Sequence, residues 1–264
     1  MFLITGSQGF IGSHLMNYIP GALGLDKKDR GIKQKFILCN LLDKDSLFWT
    51  IHYNKIEVVY HMAAVPSVPD SFKDPMTTYI NNVSATINLI DVCKKCNVKK
   101  LIFASSSSVF GNSPYGHSKK VIEDILPHTG IDYTILRFFN VFGDGQRENI
   151  VKIMIDKISA NEPVTIYGDG LTTRDFTHVS NVMRANVKAT DRKYNKMTLD
   201  VGTGKPHSLL ELYRSLKLKI NPAHDKLVFA EPRIGDIRYS RAETFLEENE
   251  ITHFEEGLDL CAWG

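Results

Sequence analysis

Through the first two-thirds of the chain, short apolar runs alternate with longer stretches in which apolar residues recur every three to four positions. Phe2 to Thr5, Ala22 to Asp26, Phe36 to Cys39, Val58 to His61, Leu101 to Ser105 and Thr134 to Phe138 are brief, partly β-branched and bounded by turn residues, and they read as buried strands. Gly12 to Tyr18, Asp45 to His52, Met76 to Asn97 and Tyr115 to Leu126 carry the helical period between them. Such alternation predicts an α/β fold: a doubly wound parallel sheet covered on both faces, with ligands beyond the carboxyl ends of its strands. Past Asn140 the turn clusters Gly143-Asp144-Gly145 and Tyr167-Gly168-Asp169-Gly170 break the rhythm, and a strand-like run at Thr198 to Val201 restores it. The expected organisation is therefore one domain over 1–140 and about 174–202, with a smaller substrate-binding region over 141–173 and 203–264.

Composition narrows the partners. Of 264 residues, 43% are hydrophobic and 23% charged, and 32 basic residues nearly cancel 30 acidic ones. A net charge of +2 lacks the basic excess that nucleic acid or an anionic membrane demands, so neither is expected as a partner. No apolar run reaches the roughly 18 residues of a membrane-spanning helix, and Met1-Phe2-Leu3-Ile4 enters a strand without a basic leader, which makes the cytoplasm the expected location. Cys93-Lys94-Lys95-Cys96 lies late in a helical pattern with no second pair at zinc spacing, and no metal is expected.

Candidate chemistry begins at the first strand-to-helix turn, Thr5-Gly6-Ser7-Gln8-Gly9-Phe10-Ile11-Gly12. Glycines at these spacings allow a tight turn, close approach of backbone to a pyrophosphate, and close packing of helix on strand. The fingerprint makes the predicted sheet a Rossmann-type one, with Gly6, Gln8, Gly9, Phe10, Ile11 and Gly12 as the phosphate loop. Asp26 ends the second strand twenty residues after Gly6, where a carboxylate accepts from an adenosine ribose diol and repels a 2′-phosphate. NAD is thereby favoured over NADP, although the adjacent Lys27 and Lys28 would suit a phosphate.

The fifth strand runs into Ser105-Ser106-Ser107-Ser108, followed by Tyr115-Gly116-His117-Ser118-Lys119. Tyr115 and Lys119 are one helical turn apart, so a neighbouring ammonium is expected to lower the tyrosine pKa toward that of a general base. A strand-end serine would hold a substrate hydroxyl between them. Tyr213 and Lys217 repeat the spacing on an amphipathic segment with no preceding cofactor strand, and read as structural.

Glycine fingerprint, acidic strand end, serine strand end and Tyr-x-x-x-Lys, in that order, resemble the extended short-chain dehydrogenase/reductase family, specifically its NAD-dependent sugar-nucleotide epimerases and dehydratases. His61-Met62-Ala63-Ala64, Asn82-Val83-Ser84-Ala85-Thr86, Leu136-Arg137-Phe138-Phe139-Asn140-Val141-Phe142-Gly143, Arg174-Asp175-Phe176-Thr177-His178-Val179 and Arg233-Ile234-Gly235-Asp236 extend the likeness over nearly the whole chain. The resemblance implies Ser106, Tyr115 and Lys119 as catalytic residues. It implies cofactor contacts from Asn40, Leu41, Ala63, Ala64, Asn82 and Ser105, as well as from Tyr115 and Lys119. Ser107, Asn140, Arg174, Arg233, Asp236 and Ser240 are the implied substrate residues.

Dehydratases of the family carry an acidic pair after the strand-end Ser or Thr, and UDP-xylose-forming decarboxylases a glutamate at the second of those positions; here Ser107 and Ser108 stand there. The resemblance thus implies 4-epimerisation of a UDP-sugar through a 4-keto intermediate. Ser240 is small where strict UDP-galactose enzymes are bulky, which points to UDP-N-acetylglucosamine and UDP-N-acetylgalactosamine, with UDP-glucose and UDP-galactose alongside. UDP-glucuronate 4-epimerisation, another nucleotide-sugar oxidation and a weakly active binding protein stay open. The last has its basis in Asn112-Ser113-Pro114, where relatives insert a longer loop; Ser106 and Tyr115 are only nine positions apart, and a more open sugar pocket is expected. A homodimer paired through the helices at Met76 to Asn97 and Tyr115 to Leu126 is implied by the resemblance.

Overall fold

The computed structural model describes residues 1–146, 149–232 and 237–261. The chain forms two compact units, 1–137 with 183–199, and 138–182 with 200–264. The segment that returns to the first unit is thus 183–199, against the expected 174–202.

In the first unit the alternation read from sequence becomes β1 (Phe2–Thr5), α1 (Phe10–Tyr18), β2 (Leu23–Asp26), β3 (Phe36–Leu38), α2 (Lys44–Tyr53) and β4 (Val58–His61). It continues through α3 (Val68–Lys73), α4 (Pro75–Tyr79), α5 (Ala85–Lys95), β5 (Lys100–Ser106), α6 (Pro114–Ile125) and β6 (Tyr133–Phe138). With a strand at Met197–Val201 these make a seven-stranded sheet, in which β6-β5-β4-β1-β2-β3 run side by side. Neighbours β3-β2, β2-β1, β1-β4 and β4-β5 are all parallel. This is the Rossmann order, and its direction of winding reverses between β1 and β4, where the carboxyl ends leave a crevice. Leu3, Leu25, Val59 and Leu101 from the strands meet Leu47, Ile51, Leu89 and Ile122 from the helices, all at most 1% exposed.

One expected helix is interrupted. Asp74 caps the segment by accepting from Thr77 N at 2.9 Å, and Pro75 opens α4, but Ile80–Ser84 forms a π-helical turn before α5 continues. Such a turn inserts one residue into the helical ladder and rotates the residues beyond it about the axis, which hydrophobic spacing does not reveal. Asn97, with φ +55°, ends the segment in the left-handed conformation that asparagine tolerates.

In the second unit β7 (Val141–Phe142), α7 (Ile150–Ser159), β8 (Val164–Tyr167), β9 (Thr173–Arg174), β10 (Thr177–His178), β12 (His207–Ser208), α9 (Leu209–Ile220), β13 (Leu227–Ala230) and α10 (Phe254–Asp259) surround a core; α8 (Val179–Lys188) leads into β11, the Met197–Val201 strand. Phe142, Met154, Ile158, Ile166, Leu212 and Leu216 are completely buried in that core. Ser208 and Glu211 form a reciprocal capping box at the start of α9. Tyr213 lies in the same core with its hydroxyl on His224 Nδ1 at 2.8 Å, a structural use of the second tyrosine. Among the described residues no helix is long and apolar enough to cross a membrane.

Asp175 organises the turn after β11. It is completely buried; Oδ1 accepts from Thr203 N at 2.8 Å and Thr203 Oγ1 at 2.7 Å, while Oδ2 accepts from Gly204 N at 2.8 Å and Ala242 N at 3.1 Å. Gly202 is required beside it, since a Cβ there would sit 2.8 Å from Oδ2. Asp175→Ala strands these donors in a dry interior and is expected to lower the unfolding free energy by about 3 kcal/mol or more. Urea unfolding checks this, and an unchanged midpoint would show that the turn holds itself together.

Candidate active site

Three loops meet at the winding reversal. Gly6 has φ +70°, and a Cβ on it would lie 2.7 Å from the Ala63 backbone; one on Gly12 would lie 2.0 Å from the Gly6 carbonyl. The first glycine therefore lets the β1 and β4 loops touch, and the third seats α1 on the end of β1. Unlike α2, α3, α6, α7 and α9, helix α1 starts with no side-chain cap, and it has no acidic residue in its first turn. Its N-terminal N–H groups and dipole suit a diphosphate. Asp26 is fixed by accepting from Gln8 N at 3.0 Å and Lys28 N at 3.1 Å. The Gln8 carboxamide turns inward, donating to Ile32 O and accepting from Arg30 N and Ile32 N. Asn40 is exposed, and its side-chain oxygen accepts from Leu42 N at 3.1 Å, while Leu41 is buried. These residues fit a dinucleotide: a glycine cradle, an open helix terminus and a carboxylate at the second strand end.

The loop after β4 is held from below. His61 Nδ1 lies 2.7 Å from Thr5 Oγ1 and Nε2 lies 2.8 Å from Thr86 Oγ1, whose own proton goes to Asn82 O at 2.6 Å. Thr86 must then accept from His61, so the proton sits on Nε2 and Thr5 donates to Nδ1. Burial, with the Lys119 charge adding to it, pushes the His61 pKa down to about 3, so the ring is a neutral strut at physiological pH. Asn82, inside the π turn, accepts from Val65 N at 2.8 Å and donates to Val65 O at 3.2 Å and Ser118 Oγ at 3.0 Å. It ties the Ala63-Ala64 loop to α6.

The catalytic candidates of this unit come together across the short connection. After β5, Ser107–Phe110 form one 3-10 turn, in which Ser107 is half-buried. Ser113 then caps α6 by accepting from Gly116 N at 3.0 Å, and Pro114 takes the first helical position. Tyr115 is buried at the start of α6, with Ser106 close enough to act on its phenol, and Ser106 Oγ meets Ser108 Oγ and N, each at 3.1 Å. Lys119 Nζ donates to Ala104 O at 2.7 Å and lies 4.8 Å above the Phe103 ring.

Electrostatics departs from the sequence expectation here. Burial pushes the Tyr115 pKa up, and it is the Ser106 hydroxyl, not Lys119, that works against it. Lys119 itself is driven down to about 7 by burial, with Glu123 opposing. Sequence reasoning misses Glu123, although it extends the Tyr115, Lys119 spacing by one more turn. Ser105 donates to Glu123 Oε1 at 2.7 Å, so its hydroxyl faces α6.

In the second unit Asn140, Arg174, Phe176, Tyr167 and Leu209 line a cavity of about 230 Å³. Asn140 has φ +31°, and Arg174 donates from Nη1 to Thr173 O at 2.9 Å and to Ile237 O. Ser240 is buried. Arg233 and Asp236 lie outside the described residues.

Residues 2–202 match the family model described as the NAD dependent epimerase/dehydratase family. The chain belongs to that family. As a member of the NAD-dependent epimerases and dehydratases, it uses NAD. It is 34% identical over 271 aligned residues to a provisionally named UDP-glucose 4-epimerase of Methanocaldococcus jannaschii, covering 90% of this chain and 88% of that one. The structure of a Thermotoga maritima UDP-glucose 4-epimerase with UDP-glucose is similar with a TM-score of 0.91 and 28% identity, over 98% of this chain and 96% of that one. A UDP-N-acetylglucosamine 4-epimerase from Methanobrevibacter ruminantium, in complex with UDP-N-acetylmuramic acid, is similar with a TM-score of 0.85 and 29% identity, over 98% and 96%.

The short connection depends on Gly116, where a Cβ would stand 2.0 Å from the Ser108 carbonyl oxygen. Gly116→Ala must displace the 3-10 turn, with an expected loss of roughly 1–3 kcal/mol in denaturant unfolding. Wild-type stability in this variant would mean that the turn is free to move.

Proposed function

We propose that the chain is an NAD-dependent 4-epimerase of a UDP-hexose, acting in the cytoplasm on UDP-N-acetylglucosamine and UDP-N-acetylgalactosamine, with UDP-glucose and UDP-galactose alongside. One observation carries this reading: a phenol buried at Tyr115, close past the Ser106 end of β5 and one helical turn from the buried Lys119. When bound, NAD supplies the hydride acceptor and donor for the sugar C4. Tyr115 takes the proton of the 4′-hydroxyl and returns it. Ser106 orients that hydroxyl and works against the burial that holds Tyr115 as a phenol, and Lys119 stands one helical turn away as the cation that meets the phenolate once it forms. Ser107 and Ser108 offer hydroxyls where an elimination would need carboxyl groups, which favours epimerisation over dehydration.

Gly6, Gln8, Gly9, Phe10, Ile11 and Gly12 hold the NAD diphosphate and Asp26 its adenosine ribose. Asn40, Leu41, Ala63, Ala64, Asn82 and Ser105 border the remainder. Arg174 and Arg233 grip the substrate diphosphate, since guanidinium forks suit its oxygens, and Asp236 takes its ribose. Asn140 approaches the nucleotide, and Ser107 and Ser240 the sugar. Holding the substrate by this remote end keeps the 4-keto sugar bound while it turns over.

The assay is direct. Purified protein given UDP-N-acetylglucosamine, UDP-glucose or UDP-glucuronate without added cofactor is expected to form the C4 epimers of the first two. Net oxidation that consumes cofactor, turnover of UDP-glucuronate alone, or no turnover would each sink the proposal. Tyr115→Phe should lower kcat by about 10³-fold, within the range of general-base losses. Ser240→Tyr should selectively weaken turnover of the acetylated pair, and equal loss for both classes would count against its assignment.

A homodimer is part of the same proposal. Phe72, Met76, Ile80 and Ile87 on α3, the α4-to-π segment and α5 are 43–67% exposed, an apolar set that a second copy would cover. Sedimentation equilibrium should give about twice 29.8 kDa, with Ile87→Lys shifting it toward the monomer; a wild-type monomer overturns this.

A further inference from the structure

Helix α6 buries three ionisable side chains on one stripe, Tyr115, Lys119 and Glu123, at intervals of four residues. The third is the most heavily bonded. Glu123 Oε1 accepts from Ser105 Oγ at 2.7 Å and Arg137 Nε at 2.9 Å, and Oε2 accepts from Arg137 Nη2 at 2.6 Å. The glutamate side chain is 4% exposed and the arginine 22%. We propose that Glu123 is a positioning residue for the Tyr115–Lys119 pair: its carboxylate, clamped by Ser105 at the end of β5 and Arg137 on β6, keeps Lys119 an ammonium and fixes the register of α6.

Packing alone does not require such a group, because apolar side chains of similar volume commonly serve a core as well as a buried ion pair does. A carboxylate adds charge one turn from Lys119. Among the described residues the partners of that ammonium come from three elements. From its own helix comes Glu123, with Tyr115 one turn before it, from β4 the neutral His61, and from β5 the Ala104 carbonyl and Phe103 ring; Arg137 on β6 faces Glu123. Burial works against the ammonium, and the Glu123 anion opposes that penalty. Lys119 therefore titrates near neutrality, where a small change in this one charge alters the fraction of ammonium most steeply.

Removing the Glu123 charge lowers the Lys119 pKa, so the ammonium is lost at lower pH. Removing the Arg137 charge leaves Glu123 uncompensated and raises it. The inference rests on the reading of Tyr115 as base, and two measurements separate them. In the full chain carrying 13Cε-labelled lysine, with the Lys119 resonance assigned by its absence in Lys119→Met, the NMR titration midpoint should fall by half a unit or more in Glu123→Gln and rise in Arg137→Gln. The alkaline limb of kcat/KM should move the same way, with kcat rather than KM affected, and Glu123→Asp should restore most of the shift. An unmoved Lys119 midpoint in a folded, NAD-binding Glu123→Gln protein overturns the inference, as does a shift of the same sign in both variants. Should Glu123→Gln not fold, Arg137→Gln decides, with an upward shift supporting the role and none rejecting it. Undiminished turnover in Tyr115→Phe would remove the base reading alone, and the NMR midpoints would still judge Glu123.

Discussion

Burying an ammonium is the constraint around which the first unit is built. A charge removed from water is stabilised only by dipoles and counter-charges within reach. For Lys119 the structure provides a backbone carbonyl, an aromatic face and a carboxylate, drawn from β5 and from α6 itself. Each has a second attachment: Ala104 and Phe103 belong to a buried strand, and Glu123 is locked by Ser105 and Arg137. Strand order, helix register and side-chain charge thus converge on one nitrogen, and Tyr115 inherits its position because it lies one turn before.

The fold is legible in the sequence because a buried parallel sheet leaves a coarse signature. Largely apolar runs of four or five residues, separated by helical period, need only the period to be recognised, and the six early strands stand within a residue of their expected ends. Features that depend on a single inserted or oddly placed residue are not legible. The π turn at Ile80–Ser84 changes no hydrophobic spacing, yet it carries Asn82. Helix α3 escapes the pattern although Ser67, Pro69 and Asp70 supply its cap and first turn, because six residues are too few to show a period.

The site is legible in its membership and less so in its energetics. Spacing and strand position single out Tyr115, Ser106 and Lys119 as candidates. They do not show that burial outweighs the ammonium at Tyr115, because desolvation depends on how much protein closes over a group, and sequence does not report that. His61 is a related case: a histidine within a catalytic-looking run is kept neutral by burial and braces β1 against α5 through the Thr5 and Thr86 hydroxyls.

Two glycine-bearing turns follow strands of the central sheet, one after β1 and one at Gly202-Thr203-Gly204. Both turn backbone N–H groups toward a carboxylate of the same chain, as in an anion nest: Gln8 N donates to Asp26, and Thr203 N and Gly204 N donate to Asp175. In the second, Asp175 already sits in the nest, so this turn carries its own internal counter-ion. A phosphate approaching it would have to displace a carboxylate that is part of the same polypeptide. The two turns thus differ in how far their carboxylate reaches: Asp175 takes the N–H groups of both Thr203 and Gly204, whereas Asp26 takes one and the N-terminus of α1 beyond it carries no side-chain cap.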